Sequence, residues 1–439
     1  MQMSYYRKLR MTSPSRRQVL QWLSGTVLSL GVSALAATGP AKSSPGRLPL
    51  VQPSSFPTVP IPGAIAPIPG ATQPLAPGER PAPMLPQIQI PDLPEVQRCT
   101  YASNGVIEAA HTILLIPAAE IRPGRAESLA HTAVQRTFAA RSTLSEVAVS
   151  VYRAEGYMGF GGPAPLLTAS VPKARLNDFL QEFGRPGKHY DRSWINPESA
   201  PPAQRTPSRE LERAPVFVGT AEGLASQRVQ QLAAQLSGGV HGGLFFHGNP
   251  LRPNAALSFD DAPHPIYAPL LLDTLHRAKV NATFFCIGRN ARVYPYYVRD
   301  IQAQGHEVGN HTFHHVRLTD LPAETVQDEL EQCNAVLTGI TGKPVKYFRP
   351  PGGRYSPETL MIARSLGLTT AFWTDDPADF DNPGQSVLEG RLSRNLRPGG
   401  IVLLHDNVLE SLRVLPRFVA YAAQRRVTLD TVSDLADLS

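Results

Sequence analysis

Beyond residue 244 the chain alternates short apolar runs with stretches of helical period. The runs near 255–259, 282–287, 306–309, 345–348, 369–373, 400–404 and 426–429 have the length of buried strands. Between them, segments such as Tyr267–Lys279 and Pro322–Thr341 carry helical patterns. This alternation predicts parallel strands joined by crossover helices over residues 244–439. A different pattern occupies residues 98–215. Thr112–Ile116 and Leu166–Val171 predict strands, and Val147, Val149 and Val151 alternate with Ala148, Ser150 and Tyr152 as in a half-buried strand. Arg125–Arg141, with Leu129, Ala133, Val134 and Phe138 at helical spacing, and Leu176–Phe183 predict helices. Together they make a small α+β module. Residues 216–243 read as a helical connector, an amphipathic helix over Thr220–Leu236 ended by Gly238, Gly239, Gly242 and Gly243.

The first 97 residues carry no such periodicity. Ser15-Arg16-Arg17-Gln18-Val19-Leu20 is a twin-arginine pattern, followed by an apolar stretch to Ala37 and a small-x-small site at Ala34-Leu35-Ala36. Residues 1–37 thus read as an export signal directed to the periplasm or cell envelope, with an uncleaved anchor as the alternative. Residues 38–97 read as a Pro-rich disordered linker: 15 of the 43 prolines fall between Pro45 and Pro94. A net charge of +6 suits an anionic wall or membrane surface, or simply solubility. No aromatic-rich basic stripe supports a nucleic-acid role. Cys99, Cys286 and Cys333 are too few for a disulfide framework, though one bridge stays open. His111, His131 and His189 are scattered without a catalytic constellation.

Asp260 and Asp261 close the apolar run Ala255–Phe259, and His311 and His315 follow fifty residues on. On a helix, a spacing of four puts both imidazoles on one side. Two imidazoles and one carboxylate leave a divalent metal an open position for water, and the second carboxylate can take a proton from that water. The competing readings are a turn cap before Pro263 and Pro265, and a solvated helix face.

Three further segments extend the pattern: Arg349-Pro350-Pro351, Asp376-Pro377-Ala378-Asp379-Phe380 and Leu403-Leu404-His405. With Ser258-Phe259-Asp260-Asp261 and His311-Thr312-Phe313-His314-His315 before them, about the last 190 residues resemble the polysaccharide deacetylases of the NodB-homology type, carbohydrate esterase family 4. The resemblance implies an α/β fold, a distorted (β/α) barrel of the polysaccharide-deacetylase type with its motifs at strand C-termini. It implies Asp261, His311 and His315 as ligands of a divalent metal, zinc first, with cobalt, nickel or manganese compatible. Asp260 would be the general base, Arg349 its tether, His405 the general acid and Asp379 the partner of His405. His314, His264, His276 and His306 are bystanders in this scheme, His314 lining the cleft.

Two positions depart from the family pattern. Gly352 and Gly353 follow Arg-Pro-Pro where an aromatic is usual; Gly352 keeps the backbone N–H for an oxyanion, and Tyr355 is the candidate to replace the ring. Phe380 stands where the family has Trp. The implied activity is N-deacetylation of an N-acetylglucosamine polymer, peptidoglycan or chito-oligosaccharide, by a monomer peripheral to membrane or wall. The alternatives are an O-acetyl esterase of the same family and a non-catalytic wall-binding protein.

Overall fold

The computed structural model describes residues 84–159, 162–197 and 238–437. The export signal, most of the Pro-rich linker and the Thr220–Leu236 helix lie outside the described residues.

Strands β1 (Val96–Ser103), β2 (Glu108–Ile116), β3 (Glu146–Arg153), β4 (Leu167–Pro172) and β5 (Ser193–Ile195) form one sheet in that order, with only β2 and β3 parallel. The parallel pair is joined by α1 (Arg125–Ala140), and α2 (Leu176–Glu182) connects β4 to β5. Leu129, Ala133, Val134 and Phe138 of α1 pack with Val147, Val149 and Val151, as their spacing predicts. Two expectations change. The Pro-rich segment does not stay unpacked to residue 97, because Ile88, Ile90 and Leu93 enter this core. Nor is β3 half-buried: Ala148 and Ser150 on its second face are as buried as the valines. That face lies against the larger sheet's helices. Ser150 Oγ is 3.2 Å from Tyr294 Oη, Tyr297 Oη donates to Glu146 at 2.9 Å, and Arg192 pairs with Asp300 at 2.8 Å. Thr168 Oγ1 donates to the Val293 carbonyl, and Asn104 Nδ2 to the Leu270 carbonyl.

The larger sheet begins at a short hairpin, β6 (Val240–His241) and β7 (Leu244–Phe245), among the glycines expected to end the connector helix. It continues through β8 (Asn254–Ala262), β9 (Thr283–Cys286), β10 (Glu307–Asn310), β11 (Tyr347–Phe348), β12 (Thr369–Ala371), β13 (Ile401–His405) and β14 (Thr428–Asp430). The spatial order is β13-β8-β9-β10-β11-β12-β7-β6, with β14 beside β8, and every pair except the hairpin is parallel. A parallel bridge from Asp375, just past β12, to Val402 of β13 brings the sheet round on itself. Helices α3 (Tyr267–Ala278), α4 (Gly288–Val293), α5 (Pro295–Ala303), α6 (Ala323–Thr341), α7 (Pro357–Ser365), α8 (Gln385–Asn395), α9 (Leu409–Gln424) and α10 (Val432–Asp437) make the connections. This is the distorted (β/α) barrel, with strands buried on both faces as parallel strands are.

Candidate active site

Asp260 is buried near the C-terminal end of β8, and the strand's alternation would send Asp261 to the opposite face. The backbone breaks that alternation: Asp261 adopts φ 69°, a left-handed conformation uncommon outside glycine. Both carboxylates therefore reach one imidazole. His311 Nε2 is 3.6 Å from Asp260 Oδ2 and 3.7 Å from Asp261 Oδ1, and His315 Nε2 is 3.2 Å from Asp261 Oδ1.

The two histidines share the site, but not on a helix. They lie on a loop leaving β10, with positive φ at Thr312 and His315. Side chains hold this loop where helical hydrogen bonds would otherwise do so. Asn310 Oδ1 accepts from Thr312 N at 2.8 Å, and Thr312 Oγ1 accepts from His315 N at 3.0 Å. Glu329 of α6 accepts from the N–H groups of Phe313 and His314 at 3.1 and 2.8 Å and bonds His314 Nδ1 at 2.6 Å. His314 stays outside the metal cluster, as expected, and also anchors the loop through Glu329. Glu329 was missed, although a signal existed: an acid on the apolar stripe Val326, Leu330, Cys333, Leu337.

His311 Nδ1 faces the Arg349 carbonyl at 2.8 Å, so this nitrogen carries the proton and Nε2 presents its lone pair to the carboxylates. Burial, reinforced by neighbouring His315, pushes the His311 pKa well below its ordinary value, and the ring is neutral. Ligand atoms of Asp261, His311 and His315 lie within 4.8 Å of one another. Asp261 Oδ1 is buried and accepts no hydrogen bond, a costly state for a carboxylate oxygen. One carboxylate and two imidazoles, with an oxygen left to be satisfied, fit a divalent cation with an open coordination position.

Arg349, fully buried after β11, donates to Asp260 Oδ1 at 2.8 Å, Ser258 Oγ at 2.9 Å and the Phe372 carbonyl at 2.9 Å, above the Phe285 ring. Burial pulls its pKa down, opposed first by Asp260. Paired this way through Oδ1, Asp260 turns its Oδ2 toward the cluster. His405 is in register with Asp260 on the adjacent strand. Its Nδ1 meets Asp379 Oδ1 at 2.7 Å, and its backbone N–H donates to Asp379 Oδ2 at 2.8 Å. Ser411 also donates to Asp379. Asp379 and Ser411 thus fix the Nδ1 side of the His405 ring. Phe380 stands edge-on to the His405 ring, centroids 5.5 Å apart at 76°.

Gly352 is buried with φ 62°, which suits glycine rather than the family's aromatic. Gly353 and Arg354 return their N–H groups to Pro350 and Pro351, while the Gly352 N–H meets no acceptor among the described residues. Tyr355 packs on Phe372, centroids 5.1 Å apart. Sequence reasoning also missed Asp406, fully buried after His405. Its N–H donates to the Asp260 carbonyl at 3.0 Å, and its Oδ2 accepts from His264 N at 2.9 Å, gripping both ends of the Asp261 turn. All three cysteines are free thiols, so no bridge forms.

The sequence profile of polysaccharide deacetylases matches residues 247–371. A chitooligosaccharide deacetylase of Azorhizobium caulinodans is 39% identical over 151 residues, covering 34% of this chain and 72% of that protein. The chain belongs to the polysaccharide deacetylase family. Other similar deacetylases are the peptidoglycan-N-acetylglucosamine deacetylase of Bacillus cereus (36% identical; 34% of this chain, 71% of that one) and the peptidoglycan-N-acetylmuramic acid deacetylase PdaA of Bacillus subtilis (31%; 44% and 74%). Among solved structures, the peptidoglycan deacetylase PdaC of Bacillus subtilis has 27% identity and a TM-score of 0.41, covering 43% of this chain and 93% of that one. The profile match ends before Asp379 and His405. In this deacetylase, that pair stands on its geometry.

Proposed function

We propose that this chain is an exported, metal-dependent N-deacetylase of N-acetylglucosamine-containing glycans, peptidoglycan or chito-oligosaccharide. The observation that carries the reading is an Arg349-held carboxylate, Asp260, facing the Asp261–His311–His315 cluster, with His405 on the next strand. A divalent cation held by that cluster, zinc by preference, would supply Lewis acidity toward water and the acyl oxygen. Asp260 Oδ2 takes the proton of the attacking water. The Gly352 N–H donates to the oxygen on which negative charge develops. His405 Nε2 returns a proton to the departing amine, while Asp379 fixes its tautomer and stabilises the imidazolium. Phe380 keeps an apolar wall beside that ring. Relatives named for chitooligosaccharide and peptidoglycan support the glycan class, and the twin-arginine pattern supports export.

The test is acetate release from acetylated chito-oligosaccharide and from peptidoglycan. We expect Asp260→Asn to lose at least about a hundredfold in kcat while keeping its metal, and His311→Ala to lose both. Stoichiometric metal with no acetate from either glycan would overturn the reading.

A further inference from the structure

The exit of β13 runs beside the exit of β8, and its residues meet that neighbour one after another. His405 is in register with Asp260. Asp406 gives its N–H to the Asp260 carbonyl at 3.0 Å and accepts the His264 N–H at 2.9 Å. Asn407 comes next, in the turn before α9, and it is exposed where His405 and Asp406 are buried. Its Nδ2 donates to Asp261 Oδ2 at 3.2 Å. None of the catalytic steps proposed above involves this residue.

The bond makes the two oxygens of Asp261 unlike. Oδ1 is buried, accepts no hydrogen bond and lies 3.2 Å from His315 Nε2 and 3.7 Å from His311 Nε2. Oδ2 is turned to the amide of Asn407. An ionised carboxylate can hold a cation through one oxygen or through both. Beside two imidazoles, a single carboxylate oxygen makes three ligands and leaves a position for water, whereas both oxygens together fill that position. A donor on Oδ2 opposes the second arrangement in two ways. It occupies lone-pair density on that oxygen, and it fixes the carboxylate so that Oδ1 faces the imidazoles. The side chain at 407 suits the task. A lysine would donate but bring positive charge to a cation site, an aspartate would repel Asp261, and an amide donates without charge.

We propose that Asn407 is a positioning residue of the metal centre. It ties down Oδ2 of Asp261, so that Oδ1 alone is offered to a cation and a coordination position stays open for the attacking water. This rests on the metal-dependent reading above and deepens it, because it identifies what keeps the site open.

The experiment uses the full chain loaded with cobalt, whose visible absorption weakens as its coordination number rises. Wild type, Asn407→Ala and Asn407→Gln are compared. The position is exposed, and surface substitutions of this kind rarely disturb folding. The wild type is expected to show the strong band of a cobalt ion with few ligands. In Asn407→Ala the freed Oδ2 joins the metal and the band weakens. At saturating metal, kcat on acetylated chito-oligosaccharide falls about tenfold with KM unchanged. Asn407→Gln keeps the donor on a longer arm and is expected to recover part of both. An Asn407→Ala spectrum identical to that of the wild type overturns the proposal, whatever happens to kcat. A wild-type spectrum that already has the weak band of a fully coordinated ion overturns it as well. Wild-type inactivity on every glycan would instead sink the deacetylase reading, and the spectra, which need no substrate, would still decide the role of Asn407.

Discussion

Among single residues, the site depends on side chains that touch no substrate. Adjacent strand positions cannot normally share a pocket, so bringing Asp260 and Asp261 together requires the left-handed turn at Asp261. Asp406 holds that turn from both sides, by its own N–H to the Asp260 carbonyl and by its carboxyl to the His264 N–H. Burial keeps its carboxyl protonated well above the ordinary range. Asparagine preserves the acceptor and the neutral state, whereas alanine removes the grip. Asp406→Ala should therefore weaken metal binding by 10-fold or more, and Asp406→Asn by far less, in a calorimetric metal titration. Equal affinities in the two variants would show that the turn holds itself.

At the scale of elements, much was legible because the signals were local. β8, β9, β10 and β13 begin and end within a residue or two of the apolar runs that announced them, apart from the extra turn of strand at Asp260–Ala262. The motif residues gathered because parallel strands deliver their C-termini to one end. What failed depended on distant partners. The i, i+4 spacing of His311 and His315 suggested a helix, yet Asn310, Thr312 and Glu329 satisfy the loop's N–H groups and make an irregular path stable. Alternation along β3 suggested one wet face, and only the docked barrel explains why Ala148 and Ser150 are dry. The same loop carries an element-level prediction. α4 begins at Gly288, whose N–H donates to the Thr312 carbonyl, and a Cβ there would sit 2.6 Å from Phe313 Cδ2, 3.0 Å from Cys333 Cα and 3.1 Å from Phe313 Cα. Two of those three atoms are backbone and cannot rotate away. Gly288→Ala should cost roughly 1–3 kcal/mol and lower metal affinity, since the loop must shift. A chemical-denaturation midpoint and metal affinity both equal to wild type would mean the loop yields without strain.

For the whole molecule, the decisive feature is the point where the sheet closes. Asp375 bridges to Val402, accepting Leu403 N–H at 2.9 Å, and so links β12 to β13 and His405 to the rest of the ring. Its side chain is buried at that closure, with Oδ1 bonded to Asn395 Nδ2 at 2.9 Å and Oδ2 meeting no donor. Burial pushes its pKa up to about 7, partly offset by the Asn395 hydrogen bond. Between the ordinary aspartate range and pH 7, the folded chain keeps a proton that the unfolded chain has released. Stability contributed here is therefore full at low pH and is lost as pH rises to about 7, by at most roughly 4 kcal/mol. Asp375→Asn retains the acceptor and has no proton to lose. Other ionising groups are common to both proteins, so the difference between their pH–stability curves isolates this one. The variant should match the wild type near pH 4, gain on it through pH 7 and keep a constant advantage above, read from denaturant midpoints at each pH. Parallel curves across that range would show that the closure tolerates a charged Asp375, through water or a local opening of the β12–β13 seam.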